Sequence, residues 1–176
     1  MAGGRRKATS KPRWLSDEEE AAWRAFAAVM HKLPWALECQ LERDADLSFI
    51  EYHALARLSE DPKRTLRMSQ LAAVTNASLS RLSHLVKRLE ARGWIRREAD
   101  PSDGRFTNAI LTATGHKKLL ASAPGHVENV RDLVIDALSP EELRQLRQAS
   151  ERVLTRIDSQ AAGQNAPANK ERDGLI

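Results

Sequence analysis

A mainly helical (mainly α) chain carrying one two-stranded hairpin is predicted by three observations. Apolar residues recur at helical spacing through most of the sequence. Serines with cap chemistry open those segments. One pair of extended runs flanks an Asp-Gly turn. With 176 residues, the chain can bury one good core and carry appended arms.

The elements follow in order. Residues 1–13 are rich in Lys and Arg with Gly, Ala and Ser, and read as a flexible basic arm. Ser16 with Glu19 is a capping-box pair, and Asp17 to Glu20 set negative charge on the positive end of a helix dipole. The helix they open carries Ala22, Phe26, Val29, Leu33, Leu37 and Leu41, with a kink expected at Pro34. Ser48 caps a second helix with Ile50, Leu55 and Leu58, ending before Asp61-Pro62. Arg64 to Met68 reads as a short strand, and Ser69 caps a brief helix from Gln70 to Val74.

Ser78 then caps a longer helix to Arg92, striped by Leu79, Leu82, Leu85, Val86 and Leu89, and Gly93 suits a left-handed terminator. Trp94–Glu98 and Phe106–Thr112 are extended runs joined by Ala99 to Arg105, whose Pro and Asp-Gly chemistry makes a hairpin connection. Thr112 or Thr114 opens a helix through Leu138 with a bend at Pro124-Gly125. Ser139-Pro140-Glu141-Glu142 starts the last helix, with Leu143, Leu146, Ala149, Val153, Leu154 and Ile157 on its apolar side. From Gln160 the composition predicts a frayed, disordered tail.

Composition excludes several classes. Hydrophobic residues are 41% and charged residues 30%, which is globular rather than disordered. No run of about 18 apolar residues could span a bilayer, and the basic N-terminus leads into no apolar signal region, so neither membrane insertion nor secretion is expected. Cys39 is the single cysteine, which excludes an internal disulfide and fits a reducing cytoplasm. The net charge of +4 is unevenly spread: +5 over residues 1–13, −7 over 14–62, +6 over 63–105 and none over 106–176. Such positive blocks are what a polyanion-binding face requires.

The order helix, short helix, turn, helix, hairpin between residues 49 and 112 describes a winged helix-turn-helix. A helix of ordinary diameter fits the major groove of DNA, and its outward side chains can bond base edges. With the stripe of the Ser78 helix facing the core, Ser80, Arg81, Ser83, His84, Lys87 and Arg88 lie outward, beside a hairpin carrying Arg96, Arg97 and Arg105. Asp103, two residues from Arg105, can restrict that arginine's rotamers. The other reading is that Asp103-Gly104 is only a turn.

The run Leu79 to Arg97, then Asp100-Pro101-Ser102-Asp103-Gly104-Arg105, then Ala109 to Gly115, resembles the MarR family of bacterial transcriptional regulators over about residues 15–157. The resemblance implies an obligate homodimer with interlocked terminal helices, each subunit placing a winged helix on half of a pseudo-palindromic DNA operator. It puts Ser80, Arg81, Ser83, His84 and Lys87 on the recognition helix; Ser78 at its cap, Arg88 on its outward side and Arg96 on the hairpin complete the candidate DNA-binding residues. Arg105 would enter the minor groove, braced by Asp103. The family often has Arg where this chain has His84 and Gly104, departures that bear on base preference and wing affinity. Domains are accordingly expected at 14–47 (N-terminal dimerisation helix), 48–112 (DNA-binding) and 113–159 (C-terminal dimerisation helices), between the arm at 1–13 and a tail at 160–176.

The resemblance further implies release from DNA by a small aromatic effector, for which Trp14, Trp23, Trp35, Tyr52 and His53 are the candidate pocket residues; repression is expected because a dimer covering a promoter needs no further contact to block polymerase. A redox switch through Cys39 is a second alternative. It is disfavoured by Glu38 and Glu42, which oppose a thiolate. The five histidines have no paired metal-ligand spacing, no cofactor is expected, and no catalytic motif is present, so an enzyme is not expected. The remaining class is a non-specific architectural DNA-binding protein using the basic arm and block.

Overall fold

The computed structural model describes residues 12–165, so the expectations for most of the basic arm and for the end of the tail lie outside the described residues. Helix α1 (Asp17–Ala45) opens with the expected reciprocal cap: the Glu19 amide donates to Ser16 Oγ at 3.3 Å and the Ser16 amide to Glu19 Oε2 at 2.8 Å. It runs unbroken through Pro34. The carbonyl that Pro34 leaves without an amide partner belongs to Met30, whose residue is exposed to solvent. Helix α2 (Phe49–Glu60) repeats the same cap with Ser48 and Glu51.

Strand β1 (Thr65–Arg67) leads directly into α3 (Met68–Val74). The expected cap at Ser69 is displaced by two residues: Arg67 is the N-cap, and its amide donates to Gln70 Oε1 at 3.0 Å. A side chain reaching back from the third helical position satisfies the amide of the cap residue, the reciprocal half of a capping box. Helix α4 (Leu79–Ala91) is capped by Ser78, and Gly93 adopts a φ of 70° just past its end. Strands β2 (Ile95–Ala99) and β3 (Thr107–Leu111) form the hairpin, with Ile95 opposite Leu111 and Ala99 opposite Thr107. The expected two-stranded wing gains a third strand, because β1 pairs antiparallel with β3, Arg67 opposite Asn108, in the order β1-β3-β2.

Thr112 fixes the next junction. Its hydroxyl donates to the Gly93 carbonyl at 2.7 Å and accepts the Gly115 amide at 2.9 Å, starting α5 (Ala113–Val130). A β-carbon at Gly115 would collide with the Trp94 carbonyl oxygen, so glycine is required for this close approach. Helix α5 runs through Pro124-Gly125, where a bend was expected, with Pro124 one turn after exposed Leu120, and a π-helical turn, Arg131–Ile135, follows it. Helix α6 (Pro140–Asn165) starts at the Ser139 cap as expected but continues past Gln160. Ala161 and Ala162, the best helix formers, carry it on.

The chain divides into two compact units, one up to Val127 and one from Glu128. The core lies in the first. Leu41, Leu47, Leu55, Leu58, Leu71, Leu82, Val86, Leu89 and Ile95 are fully enclosed there, so α1, α2, α3, α4 and the sheet share one apolar centre. Among the described residues of α6, none is buried. No described helix is long and apolar enough to cross a membrane.

Candidate nucleic-acid interface

Helix α4 is fixed in rotation by burial. Leu82, Leu85, Val86 and Leu89 are each 3% exposed or less, which turns Ser80, Ser83, His84 and Lys87 to solvent. Arg81 is exposed on one flank, and Ser78 uses its hydroxyl to accept the Arg81 amide at 3.3 Å. One residue behaves differently from the sequence reading. Leu79, expected in the buried stripe, is 59% exposed, because it stands a full turn before the first enclosed leucine. Arg88 is exposed, in line with the outward placement, but its guanidinium is drawn to Glu51 on α2 at 3.1 Å, and that carboxylate is buried. A buried carboxylate demands a partner far more strongly than an exposed guanidinium demands a phosphate.

The wing carries the second basic group. Arg105 binds Asp103 through two parallel bonds, Nε to Oδ1 at 2.9 Å and NH2 to Oδ2 at 2.6 Å, while its amide also donates to Oδ1. The Arg105 hydrogen bonds hold the Asp103 carboxyl below its usual range, so the Asp-Gly turn is also a brace. The Arg105 side chain remains 85% exposed, and an exposed pair is weak enough to be exchanged for a phosphate or a base edge. Arg96 is paired with Glu98 on its own strand, and Arg97 with Glu90 of α4 at 2.6 Å. Among the described residues, Arg81 and Lys87 have no carboxylate within ion-pair distance, so the free charge of this face concentrates on α4.

Arg67 is a part of the site that the sequence did not reveal. Its Nε donates to Asp100 at 2.8 Å, its NH2 to Ser102 at 3.4 Å, and its guanidinium lies 4.6 Å from the centre of the Phe106 ring. Bonds from the Ser102 hydroxyl and amide, and then from Arg67, hold Asp100 far below the ordinary carboxylate range. Arg67 thereby ties the loop of the wing to the start of α3. Its partners are 33 and 35 residues away, beyond any local pattern. Between α4 and the wing lies an open hollow of about 410 Å³, with Met68, Leu79 and Phe106 as its apolar lining and Ser83, Arg97 and Arg105 among its polar groups.

The five residues named for an effector pocket do not come together. Trp14 and Trp23 share a surface hollow with Leu15, Glu20 and Arg24 at the start of α1, and Trp35 is 70% exposed. Tyr52 and His53 belong to a separate group, formed with Phe49 and His126: Tyr52 packs 4.3 Å from His126, and His53 4.7 Å from Phe49. Burial pushes the His53 and His126 imidazoles below their ordinary pKa and the Tyr52 phenol above its own. His126 Nδ1 and Gln40 Oε1 are buried without a partner. Cys39 is half-buried, and Arg43, one turn on, is occupied by Asp44 at 2.8 Å. Among the described residues, no three His, Cys, Asp or Glu side chains gather as a metal site.

Comparison with known proteins places this geometry. A family model described as MarR family matches residues 45–105. The chain is 44% identical to Sco3205 of Streptomyces coelicolor, a MarR family transcriptional regulator solved in complex with DNA, covering 83% of this chain and 91% of that one with a TM-score of 0.79. AbsC, a MarR family transcriptional regulator of the same organism, is 38% identical over 84% of this chain and 99% of its own, also with a TM-score of 0.79. The transcriptional repressor MprA of Escherichia coli K12 is 28% identical over 125 residues, 71% of this chain and 65% of its own, so the chain spans slightly less than two thirds of that repressor.

Proposed function

The chain belongs to the MarR family, and from that premise we propose that it is a homodimeric, sequence-specific DNA-binding transcriptional regulator acting as a repressor in the cytoplasm. The observation that carries this is the pairing of two exposed elements on one compact unit. Helix α4 turns Ser80, Arg81, Ser83, His84 and Lys87 outward, and the wing beside it offers a braced, solvent-exposed Arg105. Serine, histidine and arginine can bond base edges in the major groove, and Lys87 can neutralise a phosphate. A guanidinium on a wing suits the narrow, strongly negative minor groove of A·T-rich steps. That Sco3205 was solved with DNA, and that MprA is a repressor, support the same assignment.

Dimerisation is supported by apolar surface left open on each unit. Trp23, Phe26, Val29 and Met30 are exposed on α1, and Leu146, Val153, Leu154 and Ile157 on α6. Such faces are costly in water, and a second copy of the chain covers them under two-fold symmetry. Two α4 helices about 34 Å apart would then meet successive major grooves. For release by a small aromatic effector, the support is the group of Phe49, Tyr52, His53 and His126, with its unpartnered buried nitrogen.

Selection of bound duplexes from a random pool, with sedimentation of the free protein and the complex, tests the reading. A two-fold symmetric consensus, preferred over random duplex by about 10³-fold or more, is expected. Little preference at moderate salt would mean an architectural DNA-binding protein instead, and a stable single-chain species at micromolar concentration would exclude the dimer.

A further inference from the structure

Leu79 stands at the first position of α4, and the structure removes it from the core to which helical periodicity assigns it. Single exposed leucines are ordinary surface. This one is not isolated: it faces the hollow of about 410 Å³ together with Met68 and the 42%-exposed Phe106. Ser83, one turn along the same helix, adds a hydroxyl, and Arg97 and Arg105 add positive charge. Those two guanidiniums are held by Glu90 and Asp103, which keeps them on the rim.

We propose that Leu79 is a specificity-determining residue that reads the 5-methyl group of a thymine in the major groove, with Ser83 donating to the neighbouring O4. This rests on the DNA-binding reading above. The first residues of a groove-reading helix are the ones that meet base edges. Of the four bases, only thymine presents a methyl beside a single acceptor there. A guanine, adenine or cytosine edge against Leu79 would lose hydration from a polar group without recovering a bond. Arg105, whose exposed pair with Asp103 is weak enough to be exchanged for a phosphate, can hold the backbone beside that base.

The test uses the full-length protein and the duplex recovered by selection, with each thymine replaced in turn by deoxyuridine, a change that removes only the methyl. In the wild type, one thymine in each half-site is expected to lose about fourfold in affinity on replacement, the equivalent of one buried methyl at ~0.8 kcal/mol. Leu79→Ala is expected to bind the two duplexes equally while keeping its melting temperature, since the side chain it removes is exposed. If no thymine in the wild-type scan is sensitive, or if Leu79→Ala still discriminates, the inference is overturned while the DNA-binding reading stands. Absence of any preferred duplex would remove that reading and the inference together.

Discussion

Glu51 joins three parts of the DNA-binding unit, and its removal has a calculable cost. Its Oε2 accepts the Ser48 amide at 2.9 Å, closing the cap of α2, while its Oε1 accepts Arg88 Nε at 3.2 Å from α4. The glutamate side chain is 8% exposed and the arginine side chain 62%. Replacing Glu51 with Ala removes the back-bond to the cap, worth about 1 kcal/mol by analogy with other cap losses. The arginine bond would reach ~1.5–3 kcal/mol if fully enclosed. Water regains the exposed guanidinium, which reduces that share to about 1 kcal/mol. The variant should therefore lose about 2 kcal/mol in urea unfolding followed by circular dichroism. Protein concentration must be held constant, because the stability of a dimer depends on it. Glu51→Gln keeps a carbonyl acceptor for the Ser48 amide and should lose about half as much. An alanine variant within ~0.5 kcal/mol of wild type, or a glutamine variant as damaged as alanine, would refute the division of roles.

Two further outcomes follow from the interface and from the buried imidazoles. Arg105→Ala should weaken binding to a selected duplex by about tenfold, within the ~1–3 kcal/mol associated with a base-reading arginine. Asp103→Ala should weaken it less, since an exposed brace is worth under ~1 kcal/mol; gel-shift titrations on A·T-rich and G·C-rich flanks compare the two. His53 and His126 are held below their ordinary pKa by burial, so the unfolded chain binds protons more readily than the folded one. Stability should accordingly fall as pH drops through about 6.5, and His126→Phe should flatten that fall in thermal melts between pH 5 and 8. A wild-type melting temperature that is constant across this window would contradict the sign.

Legibility in this chain follows the sequence distance of each interaction. The caps at Ser16, Ser48, Ser78 and Ser139 were readable because each joins residues three apart, and a helix start is set by such local bonds. The wing turn was readable for the same reason, and the Asp103–Arg105 contact was one of two readings that the sequence left open. Arg67 and Arg88 were not readable. Their carboxylate partners lie 33 and 37 residues away, and only the packing of β1 beside β3 and of α4 on α2 brings them close.

Periodicity by itself determined that a helix would follow Ser78, which side of it would be apolar and that its other side would be basic, because those properties depend on residue order and a fixed turn angle. Where the apolar side stops being covered is a different matter. That depends on how far the neighbouring elements extend, so only the folded chain could enclose Leu82 and leave Leu79 open beside Phe106. Likewise, the sequence supplied Tyr52, His53 and the tryptophans as aromatic material, and the folded chain sorted them. Helix α5 carries His126 against Tyr52, whereas Trp14, Trp23 and Trp35 remain exposed to solvent. Residue type decides what a side chain can bond; burial and long-range neighbours decide what it does bond.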